Sequence, residues 1–244
     1  MIMMPEEWEK KADGLYTTGD LEEPLCVMEG AEKSAASDAA LWYEKGIALR
    51  KLGRYKEALD ALNRAIELRP NDANAWRNRG VAQNQLGSYQ EALHSCEKAI
   101  ALDPCRARTW IVRGFALHHL GKYETAIESY ARAIELNPQG ADGRRAWNNR
   151  GAALDNLRRH EEAIESYDEA LLIDPFDIYA WNNKGVALGT LGRHEEAARC
   201  FQKAIEIEPT YATAWKNMGV ALKTLGRKAE SEEALGKAKA LGLE

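Results

Sequence analysis

Seven tryptophans stand on one ruler, Trp8, Trp42, Trp76, Trp110, Trp147, Trp181 and Trp215, at steps of 34, 34, 34, 37, 34 and 34 residues. A globular domain scatters its tryptophans. A constant step means one structural unit copied along the chain, and such units bury their apolar faces on their neighbours. The 244 residues are therefore expected to form one elongated body of stacked units.

The copy at 39–72 shows what the unit is. Trp42, Gly46, Leu49 and Leu52 recur every three or four residues, along one stripe of a helix. Gly53 follows, and glycine at the end of a helical pattern reads as a C-terminal stop because it accepts positive φ without strain. Ala58, Leu59, Leu62, Ala65 and Ile66 form a second helical face. Pro70 ends that helix, since it lacks an N–H and disfavours helix just before it. Asn71-Asp72 can then cap the next helix. The unit is helix, tight turn, helix, proline stop.

The same register holds along the chain. Gly46, Gly80, Gly114, Gly151, Gly185 and Gly219 share one place in the first helix, where a larger side chain would push the two helices apart. Ala65, Ala99, Ala133, Ala170, Ala204 and Ala238 form a small-residue row in the second. Pro70, Pro104, Pro138, Pro175 and Pro209 lie between units and account for five of the seven prolines.

Carried by Trp42, Gly46, Leu52-Gly53, Tyr55, Ala58, Ala65 and Pro70 with their copies, the pattern resembles the tetratricopeptide repeat. The resemblance implies an all-α fold, a right-handed superhelical solenoid of tandem helix-turn-helix repeats. Six repeats are expected at 39–72, 73–106, 107–140, 144–177, 178–211 and 212–244. Residues 1–38 read as a degenerate N-terminal helix pair, with Trp8 on the ruler and Gly19 as its turn glycine, but Ala12 in place of the first glycine and Pro24 in place of the second-helix alanine. The one long step adds residues near Gln139–Gly143, where two glycines mark either a flexible joint or a longer loop. In the last helix Glu232 and Lys239 replace apolar residues of the earlier copies, so it is expected to act as a polar cap.

Composition narrows the function. A net charge of −5 argues against a nucleic-acid binder working by bulk charge. No segment reads as a signal peptide or approaches the ~18 apolar residues of a membrane span, so a cytoplasmic protein with no membrane partner is expected. Cys26, Cys96, Cys105 and Cys200 form no paired motif, which points to free thiols. No nucleophile elbow, P-loop, zincin or dinucleotide motif occurs. The reading is a non-enzyme with no catalytic residues, no cofactor and no metal. His160 and His194 stand where other copies have turn tyrosines, and the acidic pairs Glu161-Glu162 and Glu195-Glu196 open second helices, where the helix dipole favours them.

What remains is the inner face. The resemblance implies that first helices line a concave groove in which partner peptides lie. Asn78, Asn149, Asn183 and Asn217 share one register position, doubled by Asn148 and Asn182. An amide side chain donates and accepts, so such a row could grip a peptide backbone irrespective of its sequence. It is similar to the asparagine ladder in the repeats of protein O-GlcNAc transferases, although Glu44 and Val112 interrupt it. A merely solvated first helix would carry the same residues. Inward cations, Arg50, Lys51, Arg77, Arg108, Arg145, Lys216 and Lys223, outnumber the inward acids Glu44 and Asp155. That imbalance favours an acidic segment or a C-terminal carboxylate. The chaperone-type carboxylate clamp is not intact, because Arg77 is followed one turn on by Val81 rather than asparagine. The expectation is a protein–protein interaction scaffold holding an extended peptide; the alternative is a self-associating repeat protein, a homo-oligomer joined by ends or convex surfaces.

Overall fold

The computed structural model describes residues 38–243, and among them it has twelve helices and no strand. The expected N-terminal pair around Trp8, Gly19 and Pro24 lies outside the described residues. The chain divides into two compact units, Met1–Leu120 and Gly121–Glu244. Unit 1 contains α1 (Ala39–Lys51), α2 (Tyr55–Leu68), α3 (Ala73–Gln85), α4 (Tyr89–Leu102) and α5 (Ala107–His119). Unit 2 contains α6 (Tyr123–Leu136), α7 (Ala141–Asn156), α8 (His160–Ile173), α9 (Ile178–Thr190), α10 (His194–Ile207), α11 (Ala212–Thr224) and α12 (Lys228–Ala240).

Caps and turns explain the helix boundaries. Asp38, Asp72 and Asp177 each accept backbone N–H bonds at the start of α1, α3 and α9. The turns inside the hairpins pass through glycines in the left-handed region, Gly53, Gly87, Gly121, Gly192 and Gly226, at φ of 72° to 78°. The turn between α7 and α8 has no glycine, and Arg158 takes that conformation at φ 60°.

Within each unit the hairpins close on the glycine row. A Cβ on Gly46 would sit 2.6 Å from Leu62 Cγ, one on Gly185 2.6 Å from Phe201 Cε1, and one on Gly151 2.5 Å from Tyr167 Cε1. These are overlaps, so the two helices touch only because the side chain is missing. Ala58, Ala92, Ala126, Ala163 and Ala197 of the second helices are fully buried, as close approach requires.

The tryptophan ruler has a physical basis that spacing alone hides. The indole N–H donates to the carbonyl of the proline six residues earlier: Trp76 to Pro70 at 2.7 Å, and Trp110 to Pro104, Trp181 to Pro175 and Trp215 to Pro209 each at 2.9 Å. The ring pins the interrepeat turn. At Trp42, Trp76, Trp110, Trp147 and Trp181 a cation three residues later covers the ring face, with Arg79 4.2 Å from the Trp76 centroid and Arg150 5.3 Å from that of Trp147, whereas Lys237 covers Trp215 at 4.5 Å. Arg79 and Arg150 also donate to Ser95 and Ser166 on the second helix of the same hairpin.

The extra residues of the long step are a helical turn. α7 has 16 residues where the other first helices have 13. Gly140 is its N-cap, and a Cβ on Gly143 would overlap the carbonyl oxygen of Asn137. Arg144 in this added turn pairs with Asp177 and, at 3.6 Å, with Asp174. Pro138 now lies nine residues before Trp147, and the indole bond seen at the other interrepeat turns is missing there among the described residues.

Within each unit, first helices of successive repeats touch one another, α1 with α3, α3 with α5, α7 with α9 and α9 with α11. Among the described residues no two successive second helices come as close. The first-helix face is thus the tighter one in both units.

Candidate functional site

In unit 1 the inner positions of α1, α3 and α5 carry Tyr43, Arg50, Arg77, Asn78 and Arg108. Asn78 is buried, and its amide donates to the Tyr43 hydroxyl at 3.1 Å and to the carbonyl of Asn74 at 3.0 Å. Arg77 is half-buried and donates to Asn74 Oδ1 at 2.8 Å. Burial pushes the Arg50 and Arg77 guanidinium pKa values down and the Tyr43 phenol up, so at neutral pH the site holds cations beside an uncharged hydroxyl. Arg108 is exposed. Asn84, on the same face, is buried and donates to the Val112 carbonyl at 3.0 Å, joining α3 to α5.

In unit 2 the same register carries amides. Asn183 donates to Asn148 Oδ1 at 3.3 Å, and Asn217 donates to Asn182 Oδ1 at 2.9 Å. With Asn78 to Tyr43 in unit 1, this is one rule: the residue two after a tryptophan donates to the residue one after the preceding tryptophan. The asparagine row is therefore partly a stitch between first helices. Asn182 is buried, while Asn148, Asn149, Asn183 and Asn217 are half-buried. The stitch engages the amide N–H of Asn183 and Asn217, and their own side-chain carbonyls accept no hydrogen bond among the described residues. Asn149 makes no such bond among the described residues, so both its donor and its acceptor are unspent.

Arg145 and Lys216 are exposed. Arg145, Asn148 and Asn149 line a cleft of about 360 Å³ together with Phe176 and Tyr179. Those two aromatics are 74% and 59% exposed, high values for rings, and they give the cleft an apolar wall that the sequence reading missed. Phe176 lies in the loop after α8, outside the helical register, whereas Tyr179 lies in the first turn of α9 at the register of Arg108 and Arg145, two residues before a tryptophan, which is the signal that could have found it. A larger cleft of about 810 Å³ lies between α10 and α12, floored by Trp215, Met218, Leu222 and Ala234. It is the gap left where successive second helices do not touch, and it holds none of the sequence-derived site residues.

The inward acid of unit 2 is engaged. Asp155 accepts from the Tyr167 hydroxyl at 2.8 Å and pairs with His160 Nδ1 at 2.9 Å, so its charge is held inside the α7–α8 hairpin. Unit 2 also pairs Lys184 with Asp168 at 2.5 Å and Arg144 with Asp177. In unit 1 His119 stacks on Tyr89 at 4.7 Å, a packing role. Among the described residues no group of three or more His, Cys, Asp or Glu could hold a metal ion. Cys96, Cys105 and Cys200 are free thiols, and burial pushes Cys96 up to about 12 and Cys200 to about 11, which keeps both protonated and unreactive at neutral pH. No described helix is long and apolar enough to cross a membrane.

Comparison with known proteins places this geometry. Sequence families described as tetratricopeptide repeat match residues 10–73 and 43–107, then 107–139, 145–177 and 178–211, and finally 200–235. The first of these matches reaches into the segment that precedes α1. Among solved structures, YrrB, described as a TPR protein with an unusual peptide-binding site, is 25% identical over 77% of this chain and 95% of its own, with a TM-score of 0.58. MamA from Desulfovibrio magneticus is 25% identical over 71% of this chain and 96% of its own, with a TM-score of 0.62. A tetratricopeptide repeat protein from Parabacteroides merdae shares the fold at 18% identity and a TM-score of 0.76, over 98% of this chain and 93% of its own. None of the curated proteins matches this chain.

Proposed function

The chain belongs to the tetratricopeptide-repeat family, and on that premise we propose that its first-helix faces hold an extended, acidic segment of a partner protein. Repeats of this family mediate protein–protein interaction, and their arrays are generally non-catalytic scaffolds. The peptide-binding site described for YrrB supports a peptide as the ligand class.

One observation carries the reading. The stitch between first helices engages one amide N–H of Asn183 and of Asn217, and among the described residues the Oδ1 atoms of both, and the whole amide of Asn149, make no hydrogen bond, at one register. Acceptors repeated at a fixed register suit the N–H groups of an extended chain, whose spacing is also regular. Phe176 and Tyr179 beside Arg145 and Asn148 offer a place for an apolar side chain with an acid next to it. Arg77, Arg108, Arg145 and Lys216 add the cationic bias that favours acidic sequences.

The test starts from a partner segment captured from the native cell with the full chain. Calorimetry with that segment should show Asn149→Ala with Asn183→Ala binding several-fold more weakly, at about 1 kcal/mol per net hydrogen bond lost. Unchanged affinity removes the asparagines from the site. Self-association, the alternative, requires a sedimentation coefficient that rises with concentration; a monomer throughout removes it.

A further inference from the structure

We propose that the first-helix face of unit 2 takes a partner segment in the polyproline II conformation, with an apolar side chain at every third residue and acidic residues at both ends. The inference rests on the reading that first-helix faces receive an extended acidic segment, and it names the conformation and the residue period of that segment for unit 2.

The residue after each row glycine is apolar in all six copies, Ile47, Val81, Phe115, Ala152, Val186 and Val220, and none of the six is buried. In unit 2 Val186 is 45% exposed and Val220 56%. The core does not require valine there. Nor does the helix, because valine is a poorer helix former than alanine, leucine or lysine. Three residues on, the register holds Arg50, Asn84, His118, Asp155, Gly189 and Lys223, so one turn away the first helices accept charge, amide or no side chain. An apolar residue repeated at one unburied register points to a contact outside the fold.

Helical spacing puts these residues beside the asparagines. Ala152, Val186 and Val220 stand three residues after Asn149, Asn183 and Asn217, and side chains three apart are neighbours on a helix surface. Four residues further on, the Thr190 and Thr224 hydroxyls donate to the carbonyls of Val186 and Val220 at 3.0 and 3.2 Å, so these hydroxyls are spent on their own helices. Thus α7, α9 and α11 carry two parallel rows, one of amides and one of apolar side chains, with one member of each row per helix.

The step of the rows selects the conformation of the ligand. Asn183 reaches Asn148 and Asn217 reaches Asn182, so neighbouring first helices are in direct contact, and helices in contact have axes about 8 to 10 Å apart. A β-strand repeats a side at every second residue, about 6.7 Å, and next at about 13 Å, and neither fits. A polyproline II segment has three residues per turn at about 3.1 Å each, so it returns the same side every ~9.3 Å. Its N–H groups have no internal partner, so one per turn is available to each asparagine carbonyl. Prolines fit only where that N–H is not needed.

Charge sets the ends. Arg145 on α7 and Lys216 and Lys223 on α11 are exposed, whereas the one charged residue of α9, Lys184, is paired with Asp168 on α8. Of the acids on these three helices, Asp155 is held by Tyr167 and His160, and Asp142 stands in the first turn of α7. Cations therefore flank a neutral middle, which complements acids flanking an apolar stretch.

Calorimetry of the full chain is run with the end-capped peptide Glu-Glu-Leu-Pro-Ala-Leu-Pro-Ala-Leu-Glu-Glu. A twin of the same composition, Glu-Glu-Leu-Pro-Leu-Ala-Leu-Pro-Ala-Glu-Glu, places leucine at every second residue, and a third peptide is the first with lysines for its glutamates. The first should bind at least about tenfold more tightly than either of the others. Val186→Ser with Val220→Ser should weaken it by about tenfold or more, and Val186→Leu with Val220→Leu should keep it within about twofold. Leu172→Ser, at an exposed leucine of α8, should change it by less than about twofold. Both valines are exposed, so all these variants should melt with the parent. Equal or tighter binding of the two-residue twin, indifference to the serine pair, or no binding of the first peptide below about 1 mM overturns the proposal. The amide reading is decided separately with the captured partner segment. Dependence on Asn149 and Asn183 with indifference to both valines removes the apolar row and keeps the asparagine face, whereas indifference to all four removes both.

Discussion

Units 1 and 2 build the same hairpin on the same register but present different chemistry on their first helices. Unit 1 carries Arg50, Arg77 and Arg108 on its first helices, and among the described residues no carboxylate is bonded to Arg50 or Arg77. Unit 2 pairs Arg144 and Lys184 with acids, holds Asp155 inside a hairpin and shows asparagine amides. The hairpin does not dictate these residues, because its closure depends on the glycine, the buried alanine and the pinned tryptophan. Positions one and two residues after each tryptophan need only bridge to the neighbouring first helix, and Tyr43–Asn78 does so as well as Asn182–Asn217. The face is thus free to carry charge in one unit and amides in the other.

Four measurements would break or sharpen that comparison. The largest effect concerns the shared hairpin. In unit 2, Gly185→Ala puts a Cβ 2.6 Å from the Phe201 ring and should lose about 2 kcal/mol in urea denaturation. In unit 1, Gly80→Ala meets Cys96 Sγ at 3.1 Å, and better helix propensity offsets the contact, so it should stay within about 1 kcal/mol of neutral. Equal losses would mean that the hairpins close alike. Next comes the contrast in charge. Raising NaCl from about 50 to about 500 mM should weaken partner binding that depends on Arg77 by about tenfold or more, and partner binding that depends on Asn149 by less than about twofold. Salt sensitivity at both faces, or at neither, would erase the distinction.

The third test is Trp76→Phe against Trp147→Phe. The first removes an indole bond to Pro70 and the second has no such bond to lose, so the first should be less stable by about 1 kcal/mol. Equal melting points would show that the indole bonds do not pin the turns. The smallest effect is a gain. Arg158 sits at φ 60° where every other described hairpin turn has glycine, so Arg158→Gly should stabilise the protein by up to about 1 kcal/mol, less the extra freedom of the unfolded chain. A loss there would mean that the Arg158 side chain makes a contact worth more than the strain.

Repetition makes some things readable in one dimension. The glycine row, the alanine rows and the proline stops follow from register, because each copy must solve the same packing problem within its own hairpin. The asparagine row was legible as a row. Its role as a stitch was not, since Asn183 and Asn148 stand 35 residues apart and pair only because successive first helices touch. Phe176 was illegible because loop residues obey no period, while Tyr179, two residues before Trp181, stands at the register of Arg108 and Arg145 and was readable from it. The three residues near Gln139–Gly143 read as either a flexible joint or a longer loop; in the structure they extend α7, where Gly143 fits closely beneath the Asn137 carbonyl and Arg144 is tied to Asp177.

The sequence by itself determined the unit, its period, its helix pair and its membership in an all-α repeat class, because those rest on local propensity and on side-chain volume at fixed register. Tertiary structure alone decided which polar groups the scaffold consumes and which it leaves unbonded. Asn182 is buried in a stitch, the Arg50 Nε–H is buried with no acceptor among the described residues, and Asp155 is held by Tyr167 and His160. Hydrogen bonding and desolvation depend on neighbours one repeat or one hairpin away, and a linear pattern does not contain their distances.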